Sequence, residues 1–112
     1  MEEKVSFKDF QKLDLRVGKI ISVEDHPNAD NLYVLKVDFG NERREIVAGL
    51  RKHYSKNDLE GKKAVFAVNL EPVTLRGVKS EGMILAAVSG DESQVVFIAP
   101  ENQDIGEGSE IR

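Results

Sequence analysis

The stretch Leu32-Tyr33-Val34-Leu35-Lys36-Val37 alternates between two faces, and Gly40-Asn41 and a second apolar run, residues 45–50, follow it. Such alternation predicts a half-buried β-strand, and a glycine-asparagine pair between two such runs favours a hairpin. Tyr33, Leu35 and Val37 would share one face of the strand. The opposite face would then carry Lys36 in the middle of a strand.

The segments on either side of this hairpin have the same period of two. Before it, Val17, Ile20, Ile21 and Val23 predict a first strand, with Gly18 expected at a bulge or bend. The apolar segments after it are a fourth strand at 64–70, a fifth at 83–88 and a further strand at 95–98. Turn-forming residues separate these strands at intervals of about 8 to 12 residues, a pattern typical of a small barrel or sandwich.

Two short helices accompany the strands. Ser6 followed by Asp9 is a variant of the capping box, and Phe7, Phe10 and Leu13 then lie on one helical stripe. A helical turn is predicted at 55–59, begun by Ser55 and ended by Gly61. A short helix between the third and fourth of five strands is the plan of the OB-fold. We therefore predict an all-β chain whose centre is a five-stranded OB-fold barrel.

Composition indicates one domain spanning residues 1–112. The chain has a mass of 12.5 kDa, 40% hydrophobic and 32% charged residues, and no cysteine. Disulfides and thiolate metal sites are therefore excluded. The sequence has no apolar run of membrane-spanning length and no signal-peptide pattern at its start. A cytoplasmic protein without a membrane partner is expected.

The charge is unevenly distributed along the chain. The formal net charge is −4, made up of −2 over residues 1–35, +4 over 36–79 and −6 over 80–112. This asymmetry is compatible with a local basic face on an acidic body. It is equally compatible with a solvated surface of mixed charge.

Signatures of catalysis and of metal binding are absent from the sequence. It contains no phosphate-binding loop, and the serine of Gly77-Val78-Lys79-Ser80-Glu81-Gly82 is one place too late for a nucleophile elbow. A loop serine bonded to backbone is the ordinary interpretation of Ser80. His26 and His53 are 27 positions apart, which is no metal-ligand spacing, and His26 is expected at the surface. We predict no catalytic residues, no metal and no cofactor.

Nucleic-acid binding has more support. OB barrels bind oligonucleotides on the face of strands 2 and 3 and in the flanking loops. The basic residues on or near that region are Lys36, Arg43, Arg44, Arg51, Lys52, Arg76 and Lys79. Tyr33 and Tyr54 are candidates for stacking on bases, and core or interface packing is the alternative for Tyr33. Arg43 and Arg44 also fit a solvated hairpin end.

Five motifs extend this interpretation. They are Asp14-Leu15-Arg16-Val17-Gly18-Lys19-Ile20, His26-Pro27-Asn28-Ala29-Asp30-Asn31-Leu32, Ile46-Val47-Ala48-Gly49-Leu50, Asn69-Leu70-Glu71-Pro72 and the stretch from Leu75 to Ala86. In this order they resemble the OB-fold tRNA-binding domain. That domain occurs as the C-terminal appendage or separate β subunit of methionyl-tRNA synthetases, as a free-standing tRNA-binding protein and in synthetase cofactors. The resemblance covers residues 7–112.

The resemblance implies a homodimer that binds tRNA by its shape, with extra C-terminal strands forming the dimer. Residues 95–98, which five barrel strands do not need, fit that role, and they carry more apolar surface than a small barrel is expected to bury. It also implies a non-catalytic module that raises the tRNA affinity of a methionyl-tRNA synthetase catalytic subunit. The implied tRNA-binding positions are Lys36, Asn69, Arg76, Lys79, Ser80 and Met83.

Two departures from the family pattern reduce the positive charge of the loops. Asn31 stands where many members carry lysine, and Glu81 where many carry glutamine. A sister branch of secretion chaperones shares the fold and the dimer, but its members generally lack the intact Ser-x-Gly-Met and Asn-Ala-Asp strings present here. The alternatives to tRNA binding are a peptide-binding chaperone and a domain that only assembles synthetase subunits.

Overall fold

The computed structural model describes residues 3–112, which form an all-β domain with two short helices. The elements in chain order are α1 (Phe7–Phe10), β1 (Leu15–Asp25), β2 (Tyr33–Asp38), β3 (Arg43–Ala48), α2 (Lys56–Leu59), β4 (Lys63–Ala67), β5 (Val73–Leu75), β6 (Val78–Ser80), β7 (Met83–Ile84), β8 (Ala86–Val88) and β9 (Val95–Phe97). Within this described range each helix is about one turn long, too short to cross a membrane.

The central sheet is a nearly closed barrel. Its five antiparallel strands run in the order β3-β2-β1-β4-β7. The outer strands β3 and β7 approach each other, and the amide of Glu81 donates to the carbonyl of Glu45 at 2.9 Å across the gap. With α2 between β3 and β4, this is the five-stranded plan of the OB-fold, as the sequence predicts.

The core follows from the alternation read in the sequence. Leu35 and Val37 are completely buried while Lys36 between them is exposed. Phe66 of β4 is also fully buried and meets Phe39 edge to face, with ring centroids 5.5 Å apart. Burial of each such side chain stabilises the fold by roughly 1.5–3 kcal/mol.

Gly18 is not at a bulge, which corrects the sequence-based prediction. It pairs regularly with Ala64, and the irregularity of β1 lies between Ile20 and Ser22. A Cβ at position 18 would lie 2.5 Å from Val37 Cγ1 and 2.7 Å from Phe39 Cε1. The glycine is therefore required by close packing across the barrel.

Both predicted helix starts are confirmed. The Ser6 side chain accepts from the amide of Asp9 at 3.1 Å, although α1 ends earlier than the 6–13 helix expected from the sequence. Ser55 forms a complete capping box with Asp58, and Gly61 has a φ of +82° just past α2. Phe7 and Phe10 of α1 remain 71% and 40% exposed.

A hairpin formed by β5 and β6 was not anticipated, because the sequence around Gly77 reads as an irregular loop. Its two-residue turn consists of Arg76 and Gly77, with φ values of +52° and +91°. Positive φ at both central positions defines a type I′ turn, whose twist matches that of the flanking strands.

The predicted fifth strand is divided in two. β7 stays in the barrel, whereas β8 leaves it after Leu85 and pairs with β9. Val95 and Phe97 pack against the core, while Val96 and Ile98 are 52% and 41% exposed. Within residues 95–98, only Val96 and Ile98 therefore leave apolar surface that the barrel does not bury.

The final segment runs along the start of β1. The amide of Val17 donates to the carbonyl of Ser109 at 2.9 Å, and the amide of Gly108 donates to the carbonyl of Val17 at 2.8 Å. Lys63 holds the same segment through Ile105 O at 2.6 Å and the Glu107 carboxylate at 3.3 Å. A hydrogen bond from its own backbone amide, together with Lys63, lowers the pKa of Glu107.

Candidate nucleic-acid interface

Two loops meet at one end of the barrel. The Asn28 side-chain amide donates to the carbonyl of Arg76 at 3.1 Å, and His26 Nε2 lies 2.8 Å from the carbonyl of Leu75. These contacts join the loop between β1 and β2 to the tip of the β5–β6 hairpin. Between them lies a cleft of about 470 Å³, hereafter the two-loop cleft, which is lined by residues 28–32 and Arg76.

His26 is the buried link in this arrangement. It is only 3% exposed, which corrects the expectation of a surface histidine. The amide of Asn28 donates to His26 Nδ1 at 3.0 Å, so Nδ1 must be an acceptor without a proton. His26 Nε2 therefore carries the hydrogen and donates it to Leu75 O, and the ring is the neutral Nε2–H tautomer.

Lys36 lies on the outer face of the barrel. It is exposed, faces Glu45 across the β2–β3 pair, and has Ser22 beside it on β1. The neighbouring outward pair on the same strands is Asp38 and Arg43. This face is therefore of mixed charge, with the cations Lys36 and Arg43 each opposite a carboxylate, Glu45 and Asp38.

The ten basic residues between 36 and 79 fall into two groups. Four of them form ion pairs with carboxylates: Arg44, Arg51, Lys56 and Lys63. The other six have no ion pair with any residue of the described range 3–112: Lys36, Arg43, Lys52, Lys62, Arg76 and Lys79. The second group is exposed and supplies the charge available to a polyanion.

Arg44 and Arg51 instead stabilise the fold. Arg44 Nη1 donates to Val68 O at 2.5 Å and to Glu81 O at 3.2 Å. The predicted solvated hairpin end is therefore wrong for Arg44, whereas the side chain of Arg43 is exposed as predicted. Its hydrogen bond to Glu42 lowers the pKa of that carboxyl. Arg51 donates to Ala29 O at 3.3 Å and thereby holds the β1–β2 loop.

The remaining predicted site residues lie in different surroundings. Ser80 is buried, accepts from the Val47 amide at 2.9 Å and donates to Gly82 O at 3.0 Å, as expected of a serine bonded to backbone. Asn69 accepts from the Asp14 amide at 2.8 Å and donates to Lys12 O at 2.6 Å. Met83 is 47% exposed. Ser80 and Asn69 thus position backbone.

The two tyrosines do not offer free rings for stacking. Tyr33 is 5% exposed and its hydroxyl donates to Tyr54 O at 2.7 Å. Tyr54 packs on Phe97 with ring centroids 5.2 Å apart. Core packing, the alternative for Tyr33, is therefore correct, and stacking on these two rings is not supported.

The role of His26 and Asn28 in joining the two loops was not foreseen from residue type. The only sequence signal is the turn-forming string His26-Pro27-Asn28-Ala29-Asp30-Asn31. It contains an imidazole ring, His26, and a side-chain amide, Asn28, that can form hydrogen bonds with a second loop. The partner carbonyls of Leu75 and Arg76 are backbone atoms about 50 positions away. Sequence alone does not reveal such partners.

A partly open five-stranded barrel with two loops meeting beside the face of its second and third strands is the architecture of oligonucleotide-binding domains. The family model described as "Putative tRNA binding domain" matches residues 15–109. The chain belongs to this tRNA-binding domain family, which confirms the resemblance seen in its motifs.

The relatives of the chain are consistent with this assignment. Methionine–tRNA ligase of Thermococcus onnurineus is 56% identical over 110 residues, which cover 98% of this chain and 15% of the ligase. A methionine–tRNA ligase 1 of Bacillus anthracis is 43% identical over 110 residues, 98% of this chain and 16% of that protein. The chain therefore spans about one-sixth or less of the length of these curated relatives.

Two solved structures match nearly end to end. The MetRS-related protein from Pyrococcus horikoshii has a TM-score of 0.92 and 34% identity, with coverage of 98% of this chain and 99% of that one. The chaperone CsaA from Bacillus anthracis has a TM-score of 0.87 and 32% identity, with coverage of 98% and 100%. The fold is thus common to proteins described in different functional terms.

Proposed function

We propose that this chain binds tRNA by phosphate contacts and by shape. The observation that carries the proposal is the two-loop cleft, where the β1–β2 loop is bonded to a hairpin that presents the exposed cations Arg76 and Lys79. Lys36 adds a further cation on the outer face of β2. Lysine and arginine that lack a carboxylate partner can neutralise phosphates without first breaking an ion pair.

Within this proposal the six predicted tRNA-binding residues have three roles. Lys36, Arg76 and Lys79 contact phosphates, and Met83 of β7 offers an exposed apolar side chain. Ser80 and Asn69 shape the backbone that carries these groups, through their bonds to Val47 and Asp14. This division of roles is consistent with the burial of Ser80 and the exposure of the three cations.

The proposed assembly is a homodimer, and β8 and β9 are its proposed contact. Val88 and Val96 are 55% and 52% exposed on this small sheet, and Ile98 follows at 41%. A paired apolar sheet of this kind is covered when it meets a second copy. Two copies would also bring two clefts to one tRNA.

We further propose that the chain is non-catalytic and acts in the cytoplasm beside a methionyl-tRNA synthetase catalytic subunit, or as a free tRNA-binding protein. Holding tRNA near an active site raises its effective concentration there without new chemistry. The pure protein should therefore not aminoacylate tRNA.

Filter binding of total tRNA at several salt concentrations tests the proposal. The logarithm of the affinity should fall with the logarithm of the salt concentration, with a slope of about −0.7 to −0.9 per phosphate neutralised. Lys36→Ala, Arg76→Ala and Lys79→Ala should each reduce this slope by about one, or by about two if both copies of a dimer contact one tRNA. Lys62→Ala is the matched control, because it removes an exposed unpaired cation outside the cleft and β2.

If Lys36→Ala and Arg76→Ala leave both affinity and slope unchanged in folded protein, the proposed face is wrong. If the wild type binds no tRNA at low salt, the function is wrong. A slope that falls equally in Lys62→Ala would indicate general charge attraction without a defined site.

A peptide-binding dimer is the second candidate, favoured by one specific observation. A cleft of about 460 Å³ runs beside α1 and is lined in part by the exposed side chains of Phe7, Phe10 and Leu13. An unfolded polypeptide that binds this chain, and that tRNA fails to displace, would favour this function. A domain that only assembles synthetase subunits would bind neither probe.

A further inference from the structure

We propose that the two-loop cleft binds one unpaired guanine of an RNA, whose Watson–Crick edge donates to the carboxylate of Asp30 while Arg76 contacts a phosphate of the same strand. This inference rests on the proposed tRNA-binding function. It adds a contact that reads a base to a surface otherwise described by its cations.

The two-loop cleft contains polar side chains that the fold leaves unused. The carboxylate of Asp30, the side-chain amide of Asn31 and the guanidinium of Arg76 line it, and all three residues are exposed. Within residues 3–112 none of these groups forms a side-chain hydrogen bond or an ion pair. The neighbouring side chains of Asn28 and Arg51, by contrast, donate to backbone carbonyls. The unused groups are therefore available to a ligand.

The carboxylate of Asp30 determines which part of an RNA can enter the cleft. A phosphate next to it would be repelled, because both groups are negative. An ionised carboxylate only accepts hydrogen bonds, so its partner must be uncharged and must carry donors. Arg76 favours an anion on the other side of the cleft. A nucleotide combines these two properties, since its base is neutral and its phosphate is charged.

Guanine matches the carboxylate better than the other three bases do. Its Watson–Crick edge presents two adjacent donors, N1–H and the N2 amino group, to the two oxygens of Asp30. Adenine and cytosine present one amino group beside an acceptor, and uracil presents one N–H between two carbonyls. An acceptor of each of these bases would face the carboxylate. The side-chain amide of Asn31 can donate to guanine O6.

The cleft also has space and an apolar surface for a base. Its volume of about 470 Å³ lies within the range of about 300–1,000 Å³ that is typical of small-molecule sites. The half-buried side chains of Ala29 and Leu32 are part of its lining, and the flat face of a base can cover them. In a duplex the Watson–Crick edge is already occupied, so the guanine must be unpaired.

NMR titration with RNAs of five nucleotides tests the choice of base. The probes are UUGUU and the same strand with adenine, cytosine or inosine at its centre, so that the number of phosphates is constant. The backbone amides of residues 28–32 and Gly77 report binding in the cleft. Wild type should bind UUGUU about five- to tenfold more tightly than the adenine and cytosine strands. The inosine strand, which lacks the N2 amino group, should have an intermediate affinity.

Asp30→Asn should abolish this preference and weaken the binding of UUGUU by about fivefold. Asp104→Asn is the matched control, because Asp104 is an exposed aspartate outside the cleft and has no ion pair within residues 3–112. Both substitutions remove one negative charge, which by itself strengthens the binding of a polyanion. Weaker binding in Asp30→Asn, with unchanged or tighter binding in Asp104→Asn, is therefore the opposite of a general charge effect.

The possible results separate the guanine site from the proposed function. If the four strands bind wild type equally, if none shifts the amides of residues 28–32, or if Asp30→Asn keeps the preference, the guanine site is overturned. A preference for RNA over the matching DNA strands that is the same for every base would assign Asp30 to ribose hydroxyls and would also overturn it. Filter binding of total tRNA stands apart from these results. If wild type retains no tRNA there, the proposed function fails even where UUGUU occupies the cleft.

Discussion

The hydroxyl of Ser80 accepts a hydrogen bond from the backbone amide of Val47 at 2.9 Å, across the edge where the barrel closes. The same hydroxyl donates to Gly82 O at 3.0 Å. A single side chain thus connects the β5–β6 hairpin to β3 and sets the turn that leads into β7. The hairpin of the proposed binding site is therefore anchored on the barrel itself.

Ser80→Ala should lower the free energy of unfolding by about 1–2 kcal/mol, because the Val47 amide is left buried without a partner. Urea unfolding followed by circular dichroism measures this change. Ser22→Ala, on the half-buried outer side of β1, is the control and should change stability by less than about 0.5 kcal/mol. Equal effects of the two substitutions would contradict the anchoring role.

Gly18→Ala should destabilise the protein by about 1–3 kcal/mol, because a methyl group there overlaps Val37 and Phe39. Gly90→Ala is matched to it, since no heavy atom lies within 4 Å of a Cβ at that position and its φ is not in the left-handed region. Thermal melting of both variants checks the prediction. A Gly18→Ala protein as stable as the wild type would show that the barrel core yields more readily than its packing implies.

Arg76→Asn should retain or raise stability, by up to about 1 kcal/mol, while weakening tRNA binding. Arginine is unfavourable at a φ of +52°, whereas asparagine is favoured in the left-handed region of a type I′ turn. The tRNA salt slope of the same variant should fall by about one. A simultaneous loss of stability and binding would instead make Arg76 a structural residue.

Asp91→Asn should lower the melting temperature at pH 7, and most of this difference should disappear as the pH falls to about 2. Hydrogen bonds from the side chain and backbone of Ser93, and from the Ser89 hydroxyl, lower the pKa of Asp91 from 3.8 to about 2. A carboxyl whose pKa is depressed by folding stabilises the fold above its unfolded pKa, and this contribution is lost as the pH falls through the folded value. Glu92→Gln in the same turn is the control. If the melting temperatures of wild type and Asp91→Asn differ by the same amount at every pH from 7 to 2, the prediction is wrong.

Val96→Glu should convert a homodimer to a monomer of 12.5 kDa, because a carboxylate would be buried in the apolar contact proposed for β8 and β9. Light scattering at micromolar concentration measures the mass. Val73→Glu is closely matched, since Val73 on β5 is also 52% exposed. A wild-type protein that is monomeric at every concentration would contradict the proposed homodimer.

The barrel was predictable because its strands alternate with a period of two. Leu35, Lys36 and Val37 already separate core from surface in the printed sequence. The β5–β6 hairpin was not, because Arg-Gly lacks the Asn-Gly or Asp-Gly signal that usually marks a type I′ turn. The alternation of polar and apolar residues also could not show that Gly18 is needed for packing. That need arises because the side chains of Val37 and Phe39, distant in sequence, lie against it.

The candidate site was only partly predictable for a similar reason. Residue type identifies Lys36 and Arg76 as cations, and the structure leaves both exposed. The site also depends on long-range hydrogen bonds to backbone carbonyls, which Arg44 donates to Val68 O and His26 to Leu75 O. Carbonyls are the same in every residue, so sequence patterns carry no information about which one will be used.

The bonds between residues 108–111 and the beginning of β1 also impose an order of events on synthesis. Leu15 and Val17 leave the ribosome more than 90 residues before the partners at Ser109 and Ile111 exist. Closing so long a loop is slow, because its entropy cost precedes any gain from the contact. One edge of the beginning of β1 therefore lacks its backbone hydrogen-bond partners until residues 108–111 have been synthesised, and the barrel is completed only after residue 111 has emerged.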